Sequence, residues 1–363
     1  MHVAMLTSGS GWYGSGSSYA KLARGFTERG HVARLITAVP RVTARLAAMD
    51  LSVTEIPGRG TGPREVWALV GILRKLEAQA VLVDTPRDLR LAAYATLVHP
   101  ARIVYRYNLT DRRPRTHLMD RVYLRRVAAC VYQSRYIQDN AVAHAPWMRR
   151  IRGFQIPNGY DTESFAPHPD AGRAFRERYR IQTDARVVLT TAKLTRNKGH
   201  EVAMKALDQV HEAGLPVVYL VAGDGRLETE LRALAGALRL PAVFTGLLEP
   251  TEVVAALAAA EVVVHPSLQE IFPNAVGEAM SCGRAVVAAD AGGTAELVGR
   301  DGDAGVLVPP GDPAALASVV QELLTDPHRR ARLGDAARRR IETEFPLRRM
   351  IDGYEAALRA VIE

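Results

Sequence analysis

The sequence predicts an α/β protein built as two doubly wound domains, on three observations. Short apolar runs alternate with helical periods, the alternation stops at a Pro- and Gly-rich stretch and then restarts, and 363 residues exceed one comfortable core. The first series has apolar runs at Val3–Leu6, Val32–Ile36, Ala80–Val83, Arg102–Tyr105 and Ala128–Tyr132. Runs this short, without polar alternation, read as strands buried on both faces, hence a mostly parallel sheet covered by helices. The break runs from Pro157-Asn158-Gly159-Tyr160-Asp161 to Pro167-His168-Pro169. The second series follows at Val187–Thr191, Val217–Ala222, Ala242–Thr245, Val262–His265, Ala285–Ala289 and Gly305–Val308, with amphipathic helices at Pro313–Leu324 and Arg329–Thr343. The expected domains are residues 1–165 and 166–344, two domains imply a cleft, and ligands are expected at the carboxyl ends of strands.

Apolar residues at 48% and charged residues at 24% fit a packed globular chain and exclude disorder as its main state. No apolar run approaches the roughly 20 residues that span a bilayer, and Met1-His2-Val3 opens no charged leader, so a cytoplasmic protein is expected. Cys130 and Cys282 stand far apart with no metal-ligand spacing around them and read as reduced core thiols; neither zinc nor a disulfide is expected. The net charge of +8 is concentrated: between Asp84 and Arg152 lie fourteen Arg and no Lys against five Asp. Such a block attracts a polyanion, an acidic substrate or an anionic membrane surface, or is a solvated basic face. Tyr105, Tyr107, Tyr123 and Tyr132 lie within it and could stack bases, which makes nucleic-acid binding a reading from a different class. Tyr105 and Tyr132, however, sit in apolar strand runs and read as core.

Directly after the first strand comes SGSGWYGSGSS, with a literal G-x-G-x-x-G at Gly9, Gly11 and Gly14. A dinucleotide fold needs a short turn into the helix and an acid at the end of the second strand. The second strand ends Leu35-Ile36-Thr37-Ala38 without one, so an oxidoreductase is disfavoured. With a helix starting near Ser15 to Ser17, the useful part is Gly14-Ser15-Gly16, and Trp12 and Tyr13 become candidates for acceptor contact.

The segment HPSLQEIFPNAVGEAM, from His265 to Met280, is the most informative. Glu270 falls in a loop after a strand, and Glu278 lies about one turn into a helix that Asn274 could cap. The helix start offers free N–H groups and a positive dipole end to an anion. Carboxylates accept from diols and repel phosphate, so two Glu beside such a pocket suit a ligand with hydroxyls at both ends and phosphate between: a nucleotide sugar. In TTAKLTRNKGHEVAMKAL, Lys193 and Lys198 occupy another strand-to-helix loop and could reach the same diphosphate. Asp301-Gly302-Asp303 spells D-x-D but sits between a helix and a strand, where Asp and Gly are ordinary turn chemistry, so no metal is expected there.

EIFPNAVGEAM, GRAVVAADAGGTAELV, AKLTRNKG, VAGDGRLETEL and IPNGYDTESFAP, taken over nearly the whole chain, resemble glycosyltransferase family 4, retaining enzymes of the GT-B fold. The resemblance implies two Rossmann-like domains facing across a cleft, with a terminal helix at about 345–363 crossing back to the N-terminal domain. It implies that Glu278 holds the ribose hydroxyls, and that Glu270 with the segment Ile271, Phe272, Pro273, Asn274 and Ala275 holds the sugar and part of the diphosphate. Lys193 and Lys198 would neutralise the leaving diphosphate without a metal. Gly223-Asp224 and the turn Thr245-Gly246-Leu247 would border the base, and Gly14-Ser15-Gly16 would approach the phosphates. Three departures stand out: Lys193 where the family usually has Arg, which loses the bidentate fork; Asn108 where a His is frequent; and Asp84-Thr85 where many members carry a His pair. Asp84 would face the acceptor or cap a loop.

The expected function is metal-independent retaining transfer of a sugar, from a UDP- or GDP-type donor, to a hydroxyl in glycan or glycoconjugate synthesis. No cofactor is implied, since the nucleotide sugar is a substrate. The Arg block, with Trp147 and Met148, leaves open a lipid-linked acceptor at the inner membrane face or a soluble acidic one, and no nucleic acid is expected. A sugar-nucleotide epimerase on the same fold is the nearer alternative, and a polyanion-binding protein using residues 84–152 the more distant one.

Overall fold

The computed structural model describes residues 1–8, 16–108 and 123–363. The apolar runs of the first half become strands β1 (His2–Leu6), β2 (Val32–Thr37), β4 (Ala80–Val83), β5 (Arg102–Arg106) and β6 (Val127–Tyr132), joined by β3 (Val53–Glu55) and β7 (Arg152–Gln155). They form one parallel sheet in the order β3-β2-β1-β4-β5-β6-β7. β3 and β7 lie at its edges and are partly exposed, so they carry no run buried on both faces and escape a reading by apolar pattern. The second half gives β8 (Arg186–Thr191), β9 (Val217–Ala222), β10 (Ala242–Gly246), β11 (Val262–His265), β12 (Ala285–Ala289) and β13 (Val306–Val308). These are parallel in the order β10-β9-β8-β11-β12-β13. Each order reverses once, between β1 and β4 and between β8 and β11. At such a point the strands' carboxyl ends leave a crevice for a ligand.

Helices cover both sheets, and their starts follow from local chemistry. Thr85 accepts from the Asp88 N–H at 3.0 Å, Ser134 from Ile137, Asp312 from Ala314 and Ala315, and Asp326 from Arg329. Each such cap contributes about 1 kcal/mol. No helix among the described residues is long and apolar enough to cross a membrane. Cys130 and Cys282 are buried, and burial pushes each thiol up to about 12, which keeps it protonated and inert.

The chain divides into two compact units, residues 1–159 with 347–363 and residues 160–346. The border falls at Gly159/Tyr160, ahead of the expected 165/166, because Tyr160 and Phe165 pack into the second core. Tyr160 N–H donates to the Phe345 carbonyl at 2.9 Å. Its ring lies against Gly277, where a Cβ would come within 2.0 Å of a ring carbon. Within the first unit, the helix Leu347–Ile362 buries Met350, Ile351, Tyr354, Ala357 and Leu358, a stripe at helical spacing. This stripe packs on the helix Ser17–Glu28, where Gly25 lets Ile351 approach.

Candidate functional site

In the second unit the two strands at the reversal of order each feed a loop. β8 leads to Lys193 and a 3₁₀ turn at Arg196–Lys198; β11 leads to Glu270 and then to the helix Asn274–Ser281, which carries Glu278. The loops are knitted together through Asn197, whose carbonyl accepts from Ser267 Oγ at 2.9 Å and from the Leu268 N–H at 2.8 Å. Gly199 makes the approach possible. Its φ is +69°, a region that favours glycine, and a Cβ there would sit 2.0 Å from the Pro266 carbonyl oxygen. As a result Lys198 Nζ pairs with Glu270 Oε1, and His265 Nε2 donates to the same oxygen at 2.8 Å. The sequence pointed to Lys198 and Glu270 separately. Their pairing, and the part of His265, come from the fold.

Glu270 is only 8% exposed. Burial alone would raise its pKa, but the His265 hydrogen bond, with the fields of His265 and Lys198, outweighs it and holds the carboxyl down at about 2. Glu270 is therefore a carboxylate at neutral pH. Beneath the Lys193 loop, His200 Nε2 lies 3.1 Å from the Lys193 carbonyl, and Nδ1 lies 3.1 Å from the Tyr219 hydroxyl, itself 3.0 Å from Thr190 Oγ1. Burial drops the His200 pKa to about 4 despite the carbonyl partner. A carbonyl only accepts, so the neutral ring carries its proton on Nε2.

These shifts predict two acid windows. A lowered His pKa means that the unfolded chain takes a proton the folded chain refuses. Stability is therefore unaffected by His200 above about pH 6.5 and falls between 6.5 and 4, by up to roughly 3 kcal/mol. Glu270 contributes stability above about pH 4.5 that is lost as pH falls toward 2. Urea unfolding at stepped pH should show the first slope in the native protein and a smaller one in His200→Gln; equal slopes would contradict the assignment.

The other expected donor-side residues are placed as follows. Lys193 is exposed, with its backbone held by His200. Pro273, not Asn274, takes the N-cap position of the helix Asn274–Ser281, with no side-chain cap bond; Asn274 is the first helical residue, which corrects the capping expectation. Ile271, Asn274, Ala275 and Glu278 are partly exposed, whereas Phe272 packs in the core against Phe345. Gly223 donates to the Gly246 carbonyl at 2.9 Å, and the Leu194 N–H donates to the Asp224 carbonyl at 2.8 Å. Asp224 thus lies beside the loop of Lys193, and Gly246 beside Gly223, with Asp224 and Leu247 exposed. Sequence reasoning gave no role to Gly292, at φ +59°, where a Cβ would lie 1.8 Å from the Glu270 carbonyl oxygen. Tyr160 was also missed: its buried hydroxyl has no hydrogen-bond partner among the described residues, and its pKa is raised by burial first and then by Glu278 and Glu270. Asp301 Oδ1 accepts from the Asp303 N–H at 3.2 Å, as in an ordinary turn.

In the first unit, Trp12, Tyr13, Gly14 and Ser15 lie outside the described residues; Gly16 is helical in φ and ψ just ahead of Ser17–Glu28. Asp84 is 3% exposed, and its charge helps raise the pKa values of the buried Tyr19, Tyr105 and Tyr354; the cap of the next helix is Thr85. Arg106 donates to Asn158 Oδ1 at 2.9 Å. With the Gln133 amide oriented so that its oxygen faces Arg106, its nitrogen donates to Asn108 Oδ1 at 2.8 Å. Among the described residues, part of the Arg block has structural work: Arg87 donates to the carbonyls of Gly58, Arg59 and Gly60, Arg126 to that of Thr96 and Arg152 to that of Ala360. Tyr105, Tyr107, Tyr123 and Tyr132 are all buried, which removes the stacking surface a nucleic-acid reading needs, and Met148 is buried rather than presented to a membrane.

Residues 173–340 match the family model of glycosyl transferases group 1. A GDP-mannose-dependent monoacylated alpha-(1-6)-phosphatidylinositol monomannoside mannosyltransferase of Corynebacterium glutamicum is 32% identical over 198 residues, 52% of this chain and 51% of that protein. A 2-deoxystreptamine glucosyltransferase of Streptomyces kanamyceticus is 28% identical over 270 residues, 72% of this chain and 66% of that one. The chain thus spans about half the length of the mannosyltransferase it matches. Among solved structures, Anabaena Alr3699/HepE in complex with UDP-glucose superposes with a TM-score of 0.86 at 21% identity, over 99% of both chains. A glycosyltransferase from Rickettsia africae gives 0.85 at 16% identity, over 99% of this chain and 98% of that one. The fold is GT-B, an α/β architecture of two Rossmann-like units.

Proposed function

We propose that the protein is a retaining glycosyltransferase of the family 4 type, which moves a sugar from a nucleoside-diphosphate donor to an acceptor hydroxyl without a metal. The observation that carries this reading is the meeting of Lys198 and Glu270 at the strand-order reversal of the second unit, with Glu278 one turn into the adjoining helix. The helix start and Lys198, with Lys193 on the same loop, supply positive charge for a diphosphate; Glu270 and Glu278 supply acceptors for sugar and ribose hydroxyls. In the transfer, the bond from the anomeric carbon to the diphosphate oxygen breaks. The acceptor oxygen bonds to that carbon on the same face, and its proton passes to the leaving phosphate oxygen. Such a route needs no side-chain base, and stabilising the departing charge is the main catalytic task.

A sugar-nucleotide epimerase fits less well, because it needs an acid as well as a base around the sugar carbon, and Glu270, held down at about 2, has no proton to give at neutral pH. Of the named relatives, one is a GDP-mannose-dependent mannosyltransferase of a monoacylated phosphatidylinositol monomannoside, and the other is a 2-deoxystreptamine glucosyltransferase. The proposal here extends to a hydroxylated acceptor presented by the first unit, with peripheral contact to the inner face of an anionic membrane if that acceptor is lipid-linked. No cofactor is proposed, since the nucleotide sugar is consumed.

Glu278→Ala tests the donor assignment. It removes a charged acceptor of ribose hydrogen bonds and should weaken nucleoside-diphosphate affinity by about 30- to 150-fold, measured by calorimetry beside the unaltered chain. Unchanged nucleotide affinity in that variant would sink the pocket assignment.

A further inference from the structure

Two donors share one oxygen of Glu270, and they differ in kind. Lys198 reaches Oε1 from the end of a flexible four-carbon stem, with 23% of its side chain exposed. His265 is the last residue of β11; its side chain is 5% exposed and its Nε2 lies 2.8 Å from Oε1. A carboxylate offers about four lone-pair sites over two oxygens. Oε2 receives no hydrogen bond among the described residues and stays available to a ligand hydroxyl.

Resting on the donor reading above, we propose that His265 is a positioning residue: it holds the Glu270 carboxylate aimed and ionised while Lys198 turns to the diphosphate. A single ammonium cannot remain the sole partner of Glu270 and also follow the charge that grows on the leaving group. If it were the sole partner, its departure would leave a buried carboxylate unpaired, which is costly. The fixed imidazole removes that conflict, because its N–H stays on Oε1 from a rigid strand end. Gly292 closes the other side, its missing Cβ letting the Glu270 backbone seat 1.8 Å from where that atom would be. His265 thus acts through Glu270 on the sugar rather than on the nucleotide, and that separation is measurable.

The test compares His265→Leu, which keeps bulk and loses the donor, with His265→Gln, which keeps an N–H. Affinities for UDP against UDP-glucose, and GDP against GDP-mannose, are measured by calorimetry, with thermal unfolding alongside. In His265→Leu the nucleoside diphosphate should bind within about threefold of the native protein, while the sugar nucleotide loses about ten- to hundredfold; His265→Gln should recover most of that loss. Equal loss of both ligands, or no loss of either, in His265→Leu would overturn the positioning role and leave the donor reading standing. Absence of binding of both pairs by the native protein would overturn the donor reading, and this inference with it.

Discussion

Lys198→Ala should lower turnover by roughly 10²- to 10³-fold while moving donor affinity far less. The reason lies in where charge appears. A sugar diphosphate already carries its charge when bound, but breaking the glycosidic bond adds nearly a full unit to the leaving oxygen, so a nearby cation stabilises the transition state more than the ground state. In the resting protein Lys198 is occupied by Glu270, which sets its ammonium at the mouth of the two loops without committing it to ground-state binding. Lys198→Arg should restore only part of the rate, because the guanidinium keeps the charge with a different reach and fork. Steady-state kinetics of nucleoside-diphosphate release separate the outcomes: a fall in kcat with a nearly constant KM supports the leaving-group role, and a rise in KM alone contradicts it.

Gly292→Ala is expected to cost on the order of 100-fold in turnover, although the residue carries no functional group. Its φ of +59° is unfavourable for alanine, and the new Cβ would lie 1.8 Å from the Glu270 carbonyl oxygen, so backbone must move. The segment displaced is the one that aims Glu270. Stability should fall by about 1 to 3 kcal/mol. Gly302→Ala is the control, since Gly302 has φ +81° with nothing within 4 Å of its Cβ position, so it should show the strain without the collision. If both variants lose stability alike and both keep full turnover, Gly292 is not a determinant of the site.

The readable part of the molecule is what depends on local pattern. Central strands such as β4 and β11 are runs of apolar residues buried on both faces, and their succession gives a doubly wound topology before any contact is known. The loops of Lys198 and Glu270 were legible for the same reason, since each follows such a strand. Their meeting was not. It depends on Gly199 against Pro266 and on Asn197 accepting from Ser267 and Leu268, contacts between segments about seventy residues apart that no local signal announces. His265 read as the end of a strand, and its role appears only when the next loop folds back over it. Asp84, read at a strand's carboxyl end as an acceptor contact or a loop cap, is 3% exposed and acts on Tyr354 of the helix Leu347–Ile362, a residue far along the chain that no local signal announces. The edge strands β3 and β7 were silent because exposure relaxes the apolar requirement.

The proposed function stands on binding of a nucleoside diphosphate by the second unit through the loops of Lys198, Glu270 and Glu278. A thermal-shift titration of the native protein with UDP, GDP, ADP and dTDP tests it most directly. At least one of the four should stabilise saturably, by about 2.7 kcal/mol at a hundredfold excess over Kd, and the same nucleotide at the same concentration should lose most of that effect in Glu278→Ala. Failure of all four to stabilise the native protein would contradict the proposed function.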